Sequence, residues 1–201
     1  MKKTVFLLLA ISATSVLVFL LYQKNTAPTR NYQIGDRLDS LNNVVVYYNG
    51  GMGNVSGRNT SPDGYNIGLK YQCVEFVKRY YYEYYKHKMP NAYGNAIDFF
   101  NKDLKDGELN KDRDLIQYTN PSKTKPQIGD LIVMDATWTN EYGHVVIVSN
   151  VTEDEVEIIQ QNAGNPDHPR DVFDLEQTDG LWEIDHSRIL GWLRMRKSAS
   201  F

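Results

Sequence analysis

Residues 71–85 read YQCVEFVKRYYYEYY, and they hold the single cysteine of a 201-residue chain. Apolar and aromatic positions recur here every three or four residues, which predicts an amphipathic helix packed on a core. One face of this helix is formed by Cys73, Phe76, Val77, Tyr80 and Tyr84. The preceding segment, PDGYNIGLK, is rich in turn-forming residues, so we expect Cys73 to lie in the first turn of the helix.

A cysteine at the start of a helix has two interpretations. Unpaired backbone N–H groups and the helix dipole stabilise an anion there, which lowers the pKa of a thiol and favours the nucleophilic thiolate. The alternative is a buried and inert cysteine, which is common for a lone residue of this type. Both interpretations are compatible with the stretch around Cys73 taken alone.

The composition is that of a globular protein and excludes several functional classes. Hydrophobic residues make up 41% of the chain and charged residues 23%, and the net charge of -3 offers no basic footprint for nucleic acid. One cysteine excludes an intramolecular disulfide framework, and the four histidines show no zinc-ligand spacing. The chain contains no HExxH, CxxC, GxGxxG or Walker motif, so we expect neither a metal nor an organic cofactor.

The N-terminus carries an export or membrane signal. Lys2 and Lys3 precede an apolar run over residues 5–22, which is just long enough to span a bilayer as a helix. We therefore predict a transmembrane signal-anchor and a short linker in residues 1–31, followed by one domain in residues 32–197; a cleaved signal peptide is the alternative. Either interpretation exports the domain, which predicts a bacterial inner-membrane protein facing the periplasm or exterior, or a secreted one after cleavage.

After Pro126 the pattern changes from helical to strand-like. Apolar runs between polar turns occupy residues 127–134 (QIGDLIVM), 144–148 (HVVIV), 156–160 (VEIIQ) and 189–195 (ILGWLRM). A second, shorter helix is predicted over residues 95–104 (NAIDFFNKDL). Strands that follow helices predict an α+β domain, in which N-terminal helices pack on an antiparallel β-sheet.

The runs at 144–148 and 156–160 form a predicted β-hairpin, which identifies the neighbours of His144. With the turn centred near Thr152, His144 lies opposite Gln160, whereas a register two residues longer puts Asn162 opposite instead. Either amide can accept a hydrogen bond from one imidazole nitrogen and fix the tautomer of the ring, which a Cys–His pair requires. The alternative is a half-buried strand histidine whose partners are backbone groups.

A cysteine, a later histidine and a still later amide follow one another in the chain order of papain-like cysteine hydrolases. The blocks YQCVEFVKRYYYEYY, GNAIDFF, QIGDLIVM, YGHVVIV and EIIQQN are more specific. With them the chain resembles the CHAP family of cysteine, histidine-dependent amidohydrolases/peptidases, and within it the amidase domain of bifunctional glutathionylspermidine synthetase/amidase. The resemblance spans approximately residues 35–195 and implies a papain-like CHAP fold.

The resemblance also implies a role for each matching residue. Cys73 matches the nucleophile of the family and His144 its general base. Gln160 stands where the family usually has a glutamate as third member, so it orients the ring but lacks the charge that stabilises an imidazolium. Asn162 matches a nearby polar position that shares the orienting or substrate-binding role. Gln72, with the backbone N–H of Cys73, matches the oxyanion hole.

The implied reaction is acyl transfer without a metal or cofactor. The Cys73 thiolate attacks an amide carbonyl, His144 protonates the leaving amine, and water hydrolyses the thioester. Export predicts peptidoglycan peptides as the substrate and a membrane contact through the N-terminal helix. One alternative is a glutathionylspermidine-type amidase. A second is a low-activity or non-catalytic module that binds wall peptides, an interpretation that the neutral Gln160 favours.

Overall fold

A computed structural model describes residues 30–196 of the chain. Within this range twelve strands accompany one α-helix and one 3-10 turn. Their bounds are β1 Arg37–Leu41, β2 Val44–Tyr47, β3 Arg58–Thr60, β4 Asn66–Leu69, α1 Cys73–Glu83, the 3-10 turn Ile97–Phe99, β5 Glu108–Asn110, β6 Leu115–Thr119, β7 Leu131–Met134, β8 His144–Val151, β9 Glu155–Ile159, β10 Arg170–Thr178, β11 Leu181–Ile184 and β12 Ile189–Met195.

Eight of these strands form one sheet in the order β11-β10-β9-β8-β7-β12-β6-β5, and its neighbouring strands pair antiparallel. Two smaller antiparallel sheets pair β1 with β2 and β3 with β4. The strands predicted after Pro126 are β7, β8, β9 and β12, and they lie beside one another in the centre of the large sheet. Helix α1 packs on this central part of the sheet.

The central strands bury both of their faces, because successive side chains of a strand point to opposite sides of the sheet. One buried cluster contains Leu131, Val133, Val145, Ile147 and Leu193 together with Phe76, Val77, Tyr80 and Tyr81 of helix α1. The other contains Ile132, Met134, Val146, Val148 and Trp192, covered by Leu175 and Ile184 from β10 and β11. Helix α1 therefore covers one face of the sheet, and the outer strands cover the other.

Helix α1 begins at Cys73, as the sequence pattern predicted, and ends at Glu83. Lys86 follows with a left-handed φ of 56°, a conformation that cannot continue a helix. Strand β4 approaches the first turn so closely that a Cβ on Gly68 would lie 2.9 Å from the Cα of Glu75, so only glycine fits there. Packing against β4 and β8 thus fixes the position of the helix start.

The predicted α+β domain with several N-terminal helices on the sheet is wrong, because the described residues are mostly β and contain a single α-helix. The helix predicted over residues 95–104 is replaced by the 3-10 turn Ile97–Phe99. Polar side chains bind backbone groups there that a helix would pair internally. The backbone N–H of Asn101 donates to Gln117 Oε1 at 2.9 Å, and that of Asp103 donates to Asn101 Oδ1 at 3.0 Å.

The predicted membrane anchor and the inner-membrane localisation drawn from it are corrected as well. Among the helices of residues 30–196, none has both the length and the apolar character needed to cross a membrane. The apolar run on which the prediction rested, residues 5–22, lies outside the described residues.

Strands β8 and β9 form the predicted hairpin, in the longer of the two predicted registers. Val148 pairs with Ile158 and Ile147 pairs with Ile159. The turn causes this register, because Val151 pairs with Val156 and the turn is therefore centred between Glu153 and Asp154. A β-bulge after Val148 adds a residue to β8 and changes the register by one residue only. Continued towards the open end, this register would put Asn162 opposite His144, so Gln160 meets the imidazole from a diagonal position.

Candidate active site

The fold brings the predicted nucleophile and base together. Cys73 is the first residue of helix α1 and His144 the first residue of β8, the strand against which α1 packs. Gln160 follows the last residue of β9, the next strand of the sheet, and its side chain is buried. Cys73 and His144 are both half-buried, so the pair is recessed but open to a substrate.

The side chain of Gln160 fixes the orientation of the His144 ring. Gln160 Oε1 lies 2.9 Å from His144 Nε2. An amide oxygen can only accept a hydrogen bond, so Nε2 carries the hydrogen of the neutral imidazole. The other ring nitrogen, Nδ1, is then free of hydrogen and available to the thiol of Cys73. This is the tautomer that a general base requires.

The charges of Cys73 and His144 stabilise each other. Burial is the largest single influence on the pKa of the Cys73 thiol, and it favours the neutral form. The charge and hydrogen bond of His144, together with the backbone N–H groups of Val145 and Val74, outweigh it and hold the pKa of the thiol below its ordinary value. Burial also disfavours the imidazolium, yet the charge and hydrogen bond of Cys73 and the hydrogen bond of Gln160 raise the pKa of His144. The geometry therefore favours a thiolate–imidazolium pair.

This pairing predicts the pH dependence of Cys73 alkylation. A depressed thiol pKa keeps the thiolate present at pH values below the ordinary range, and it is lost only when the pH falls through that depressed pKa. An elevated pKa keeps His144 positively charged until the pH rises through it. We expect iodoacetamide to alkylate Cys73 well below the pH at which an exposed cysteine reacts. Because Cys73 is the only cysteine, label uptake measured by mass spectrometry reports this residue alone.

The matched variant for this measurement is His144→Ala. Removing the imidazolium leaves burial to favour the neutral thiol, so the rise in alkylation rate should move to higher pH. Superimposable profiles for the two proteins would contradict the pairing of Cys73 with His144.

Gln72 and Asn162 lie beside the pair and hold a loop in place. Gln72 Nε2 donates to the carbonyl oxygens of Met52 at 3.2 Å and Asn54 at 2.7 Å. Asn162 Nδ2 donates to Gln72 Oε1 at 2.7 Å and to the Met52 carbonyl at 3.0 Å. The side-chain amide of Gln72 thus faces the loop, whereas the backbone N–H of Cys73, as the first of the helix, has no intrahelical partner. That N–H is available to an oxyanion.

A buried polar network behind the pair is a feature that sequence analysis missed. Glu75 and Arg79 are 1% and 6% exposed, and Arg79 Nε lies 2.7 Å from Glu75 Oε1. Gln161, which is fully buried, donates to Glu75 Oε2 at 3.0 Å and to the Gln72 carbonyl at 3.1 Å. Its Oε1 accepts from the backbone N–H of Tyr47 at 2.8 Å. The network joins the first turn of α1 to the residue that follows Gln160.

A shallow pocket, open to solvent, lies on the Gln160 side of the pair. Gln160 and Asn162 form part of its wall, which is completed by Leu38, residues 47–52, residues 163–166 and Pro169. Cys73 and His144 do not line it, so the pocket borders the reacting atoms and does not contain them. Within residues 30–196, no group of three or more His, Cys, Asp or Glu side chains is placed to hold a metal ion.

Comparisons with known proteins identify relatives of this domain. A family model of the CHAP domain matches residues 62–162, a range that contains Cys73, His144 and Gln160. Trypanothione synthetase of Crithidia fasciculata is 29% identical over 148 residues, which cover 69% of this chain and 23% of the relative. Glutathionylspermidine synthase of the same organism is 26% identical over 140 residues, which cover 65% and 19%. The chain thus spans less than a quarter of the length of either relative.

Two solved structures also match part of the chain. The crystal structure of Ly7917 with the hydrolyzing product of MDP is 28% identical, with a TM-score of 0.26, and the match covers 38% of this chain and 31% of that one. The crystal structure of Ly7917 alone is 26% identical at the same TM-score, with 38% and 30% covered. A superposition this partial does not extend to the arrangement of the whole domain.

Proposed function

Since this chain belongs to the CHAP-domain family, we propose that its amidase or peptidase activity is cysteine-dependent and proceeds through a thioester on Cys73. The observation that carries the proposal is the contact between Cys73 and His144, in which each group displaces the pKa of the other towards the charged pair. A thiolate at neutral pH is the species that attacks a carbonyl carbon. An inert buried cysteine would show a raised pKa instead.

The proposed mechanism uses the atoms of the described site. The thiolate sulfur of Cys73 bonds to the amide carbonyl carbon, and the developing oxyanion accepts a hydrogen bond from the Cys73 backbone N–H. The His144 imidazolium then gives the proton on Nδ1 to the leaving amine as the carbon–nitrogen bond breaks. A water molecule, deprotonated by Nδ1, attacks the thioester and releases the carboxylate product and the thiolate. Gln160 accepts the Nε2–H throughout.

The substrate that we propose is a peptide amide, and two kinds are to be compared. Peptidoglycan peptides are the first, because their amide bonds suit an amidohydrolase or peptidase of the CHAP family. A glutathione–polyamine amide is the second, and the similarity to glutathionylspermidine synthase favours it. The pocket beside Gln160 is the concave surface next to the pair, and we propose that a substituent of the substrate contacts it.

Incubating the purified protein with muropeptides and with glutathionylspermidine, in parallel, tests the function and identifies the substrate. We expect mass spectrometry to find two fragments whose masses add up to that of one substrate plus water. The Cys73→Ser variant serves as the matched control, because it keeps the size of the side chain and removes the thiolate. Cleavage that is equally fast in this variant would refute the cysteine-dependent mechanism.

The non-catalytic binding module is the competing function, and the neutral amide of Gln160 is the observation that favours it. A binding module has no use for a polarised thiol, so it predicts slow alkylation of Cys73 at neutral pH. Tight binding of muropeptides without cleavage, together with slow alkylation, would establish the binding module in place of the enzyme.

A further inference from the structure

Gln160 has a second side-chain partner besides His144. Its Nε2 donates to Asp171 Oδ2 at 2.5 Å, while its Oε1 faces His144 Nε2 at 2.9 Å. Asp171 lies on β10 and pairs with Ile158 of β9, so the two strands bring it beside Gln160. The backbone N–H of Gln160 also donates to the Pro169 carbonyl at 2.9 Å, which ties the amide to the start of β10. The amide of Gln160 thus bridges an imidazole and a carboxylate.

The carboxylate decides which end of the amide faces the ring. An ionised carboxylate only accepts hydrogen bonds, so the NH₂ group of Gln160 points to Asp171 and its oxygen points to His144. A flipped amide would direct NH₂ at His144 Nε2, which would then have to be the nitrogen without hydrogen. The hydrogen would sit on Nδ1, and that tautomer cannot take a proton from Cys73. The orientation of one amide therefore selects between a working and a non-working base.

The arginines near Asp171 bind other groups, so they do not compete with Gln160 for its carboxylate. Arg170, its neighbour in sequence, pairs with Asp39 at 2.7 Å and with Glu157 at 2.8 Å. Arg188 lies close enough to His144 to oppose its positive charge, but its guanidinium donates to the Asp135 carbonyl at 2.9 and 3.1 Å. Asp171 is thus the carboxylate that faces the amide of the site.

We propose that Asp171 is a positioning residue of this active site: it holds the Gln160 amide so that its oxygen faces His144, and it supplies through that amide the negative charge that Gln160 lacks. A hydrogen bond from the amide to a carboxylate polarises the amide and makes its oxygen a stronger acceptor for an imidazolium. Asp171 lies outside residues 62–162, so the match to the CHAP domain does not assign it. Its part in catalysis rests on the proposed function; its effect on the Cys73 thiol does not.

The first test is the pH profile of Cys73 alkylation by iodoacetamide in the Asp171→Ala variant. Losing a charge-assisted hydrogen bond at an exposed position should slow alkylation at neutral pH by about tenfold and move the profile to higher pH. Asp174→Ala is the matched control, because this residue is an exposed aspartate on the same strand whose pairing position is opposite Glu155. An alkylation profile of Asp171→Ala identical to that of the control would overturn the proposal.

A second test separates positioning from a structural role by reversing the sign of the effect. In the Gln160→Glu variant a carboxylate would contact His144 directly, and Asp171 would repel it. Adding Asp171→Asn should therefore raise the alkylation rate in the Gln160→Glu background, whereas the same change lowers it in the wild-type background. A structural role predicts the same direction in both backgrounds. If Asp171→Asn lowers the alkylation rate in both backgrounds while the circular dichroism is unchanged, the proposal is overturned.

Alkylation needs no substrate, so this inference and the proposed function fail in different ways. If the sign reversal is absent while amide cleavage proceeds, Asp171 has no positioning role and the enzyme mechanism stands without it. If the sign reversal is present while neither substrate is cleaved, Asp171 positions the pair and the substrate assignment is wrong. Measuring kcat/KM of the same variants on a cleaved substrate should reproduce the order of the alkylation rates.

Discussion

Replacing Cys73 with alanine is expected to lower kcat by about 10⁴-fold or more, because removing the nucleophile of a covalent mechanism eliminates nearly all of its rate enhancement. The remaining groups, His144 and Gln160, could still polarise a water molecule, but they would lack the thioester that divides the reaction into two steps. Substrate binding should survive, since the pocket beside Gln160 does not include Cys73. Single-turnover kinetics and equilibrium binding on the same variant would separate the two effects.

The controls for this prediction address folding and chemistry separately. Cys73 packs at the edge of the helix-side core, so alanine leaves a small void there and serine does not. Both variants should retain the circular dichroism of the wild type, and both should be inactive, because a serine hydroxyl is not ionised by an imidazole in its ground state. An active Cys73→Ala variant would show that a different residue carries the acyl group.

Glu75→Ala is expected to reduce the free energy of unfolding by about 3–5 kcal/mol, the usual result of removing one partner of a buried ion pair. Glu75 is 1% exposed, and its carboxylate accepts hydrogen bonds from three side chains: Arg79, Gln161 and Asn59. Without it, the Arg79 guanidinium would remain buried with little compensation for its charge. Urea denaturation followed by circular dichroism would measure the loss as a lower midpoint at unchanged slope.

The matched control is Glu83→Ala, which removes a glutamate from the last turn of the same helix. Glu83 is exposed, and the hydrogen bond recorded there uses its backbone carbonyl and not its carboxylate. We expect a change within about 0.5 kcal/mol for this variant. Equal midpoints for Glu75→Ala and Glu83→Ala would show that the network around Arg79 does not stabilise the fold.

The sequence was sufficient to predict the elements whose apolar pattern is strong. Helix α1 begins at Cys73 because an apolar stripe follows a turn-rich segment. Strand β7 is a continuous apolar run, and apolar residues predominate in β8, β9 and β12. Strand β10 was missed, since most of its residues are exposed and Leu175 is its single buried one. A strand with one buried side chain carries no alternating signal. Its partner β11 was missed with it.

Some residues of the site are recognisable from the local sequence pattern, whereas others are brought to it only by tertiary contacts. Cys73 and His144 are marked by local sequence, because each stands at the start of a clearly patterned element. Asp171 has no such mark: it lies in the missed strand and reaches Gln160 only through the pairing of β9 with β10. The burial of Glu75 and Arg79 is not evident from the sequence for another reason. Opposite charges four residues apart on a helix usually lie on its solvent face, and only the tertiary packing buries them.

The position of Cys73 and His144 at the ends of core elements determines which core substitutions the protein tolerates. Cys73 and His144 stand on different elements, and their separation is set by the side chains packed between helix and sheet, including Phe76, Val77 and Val145. Adding or removing a methylene in that layer changes the distance between Cys73 Sγ and His144 Nδ1, although the methylene contacts neither atom. The core therefore sets the spacing of the proposed catalytic pair, and substitutions within it should abolish turnover at temperatures where the sheet is still fully formed.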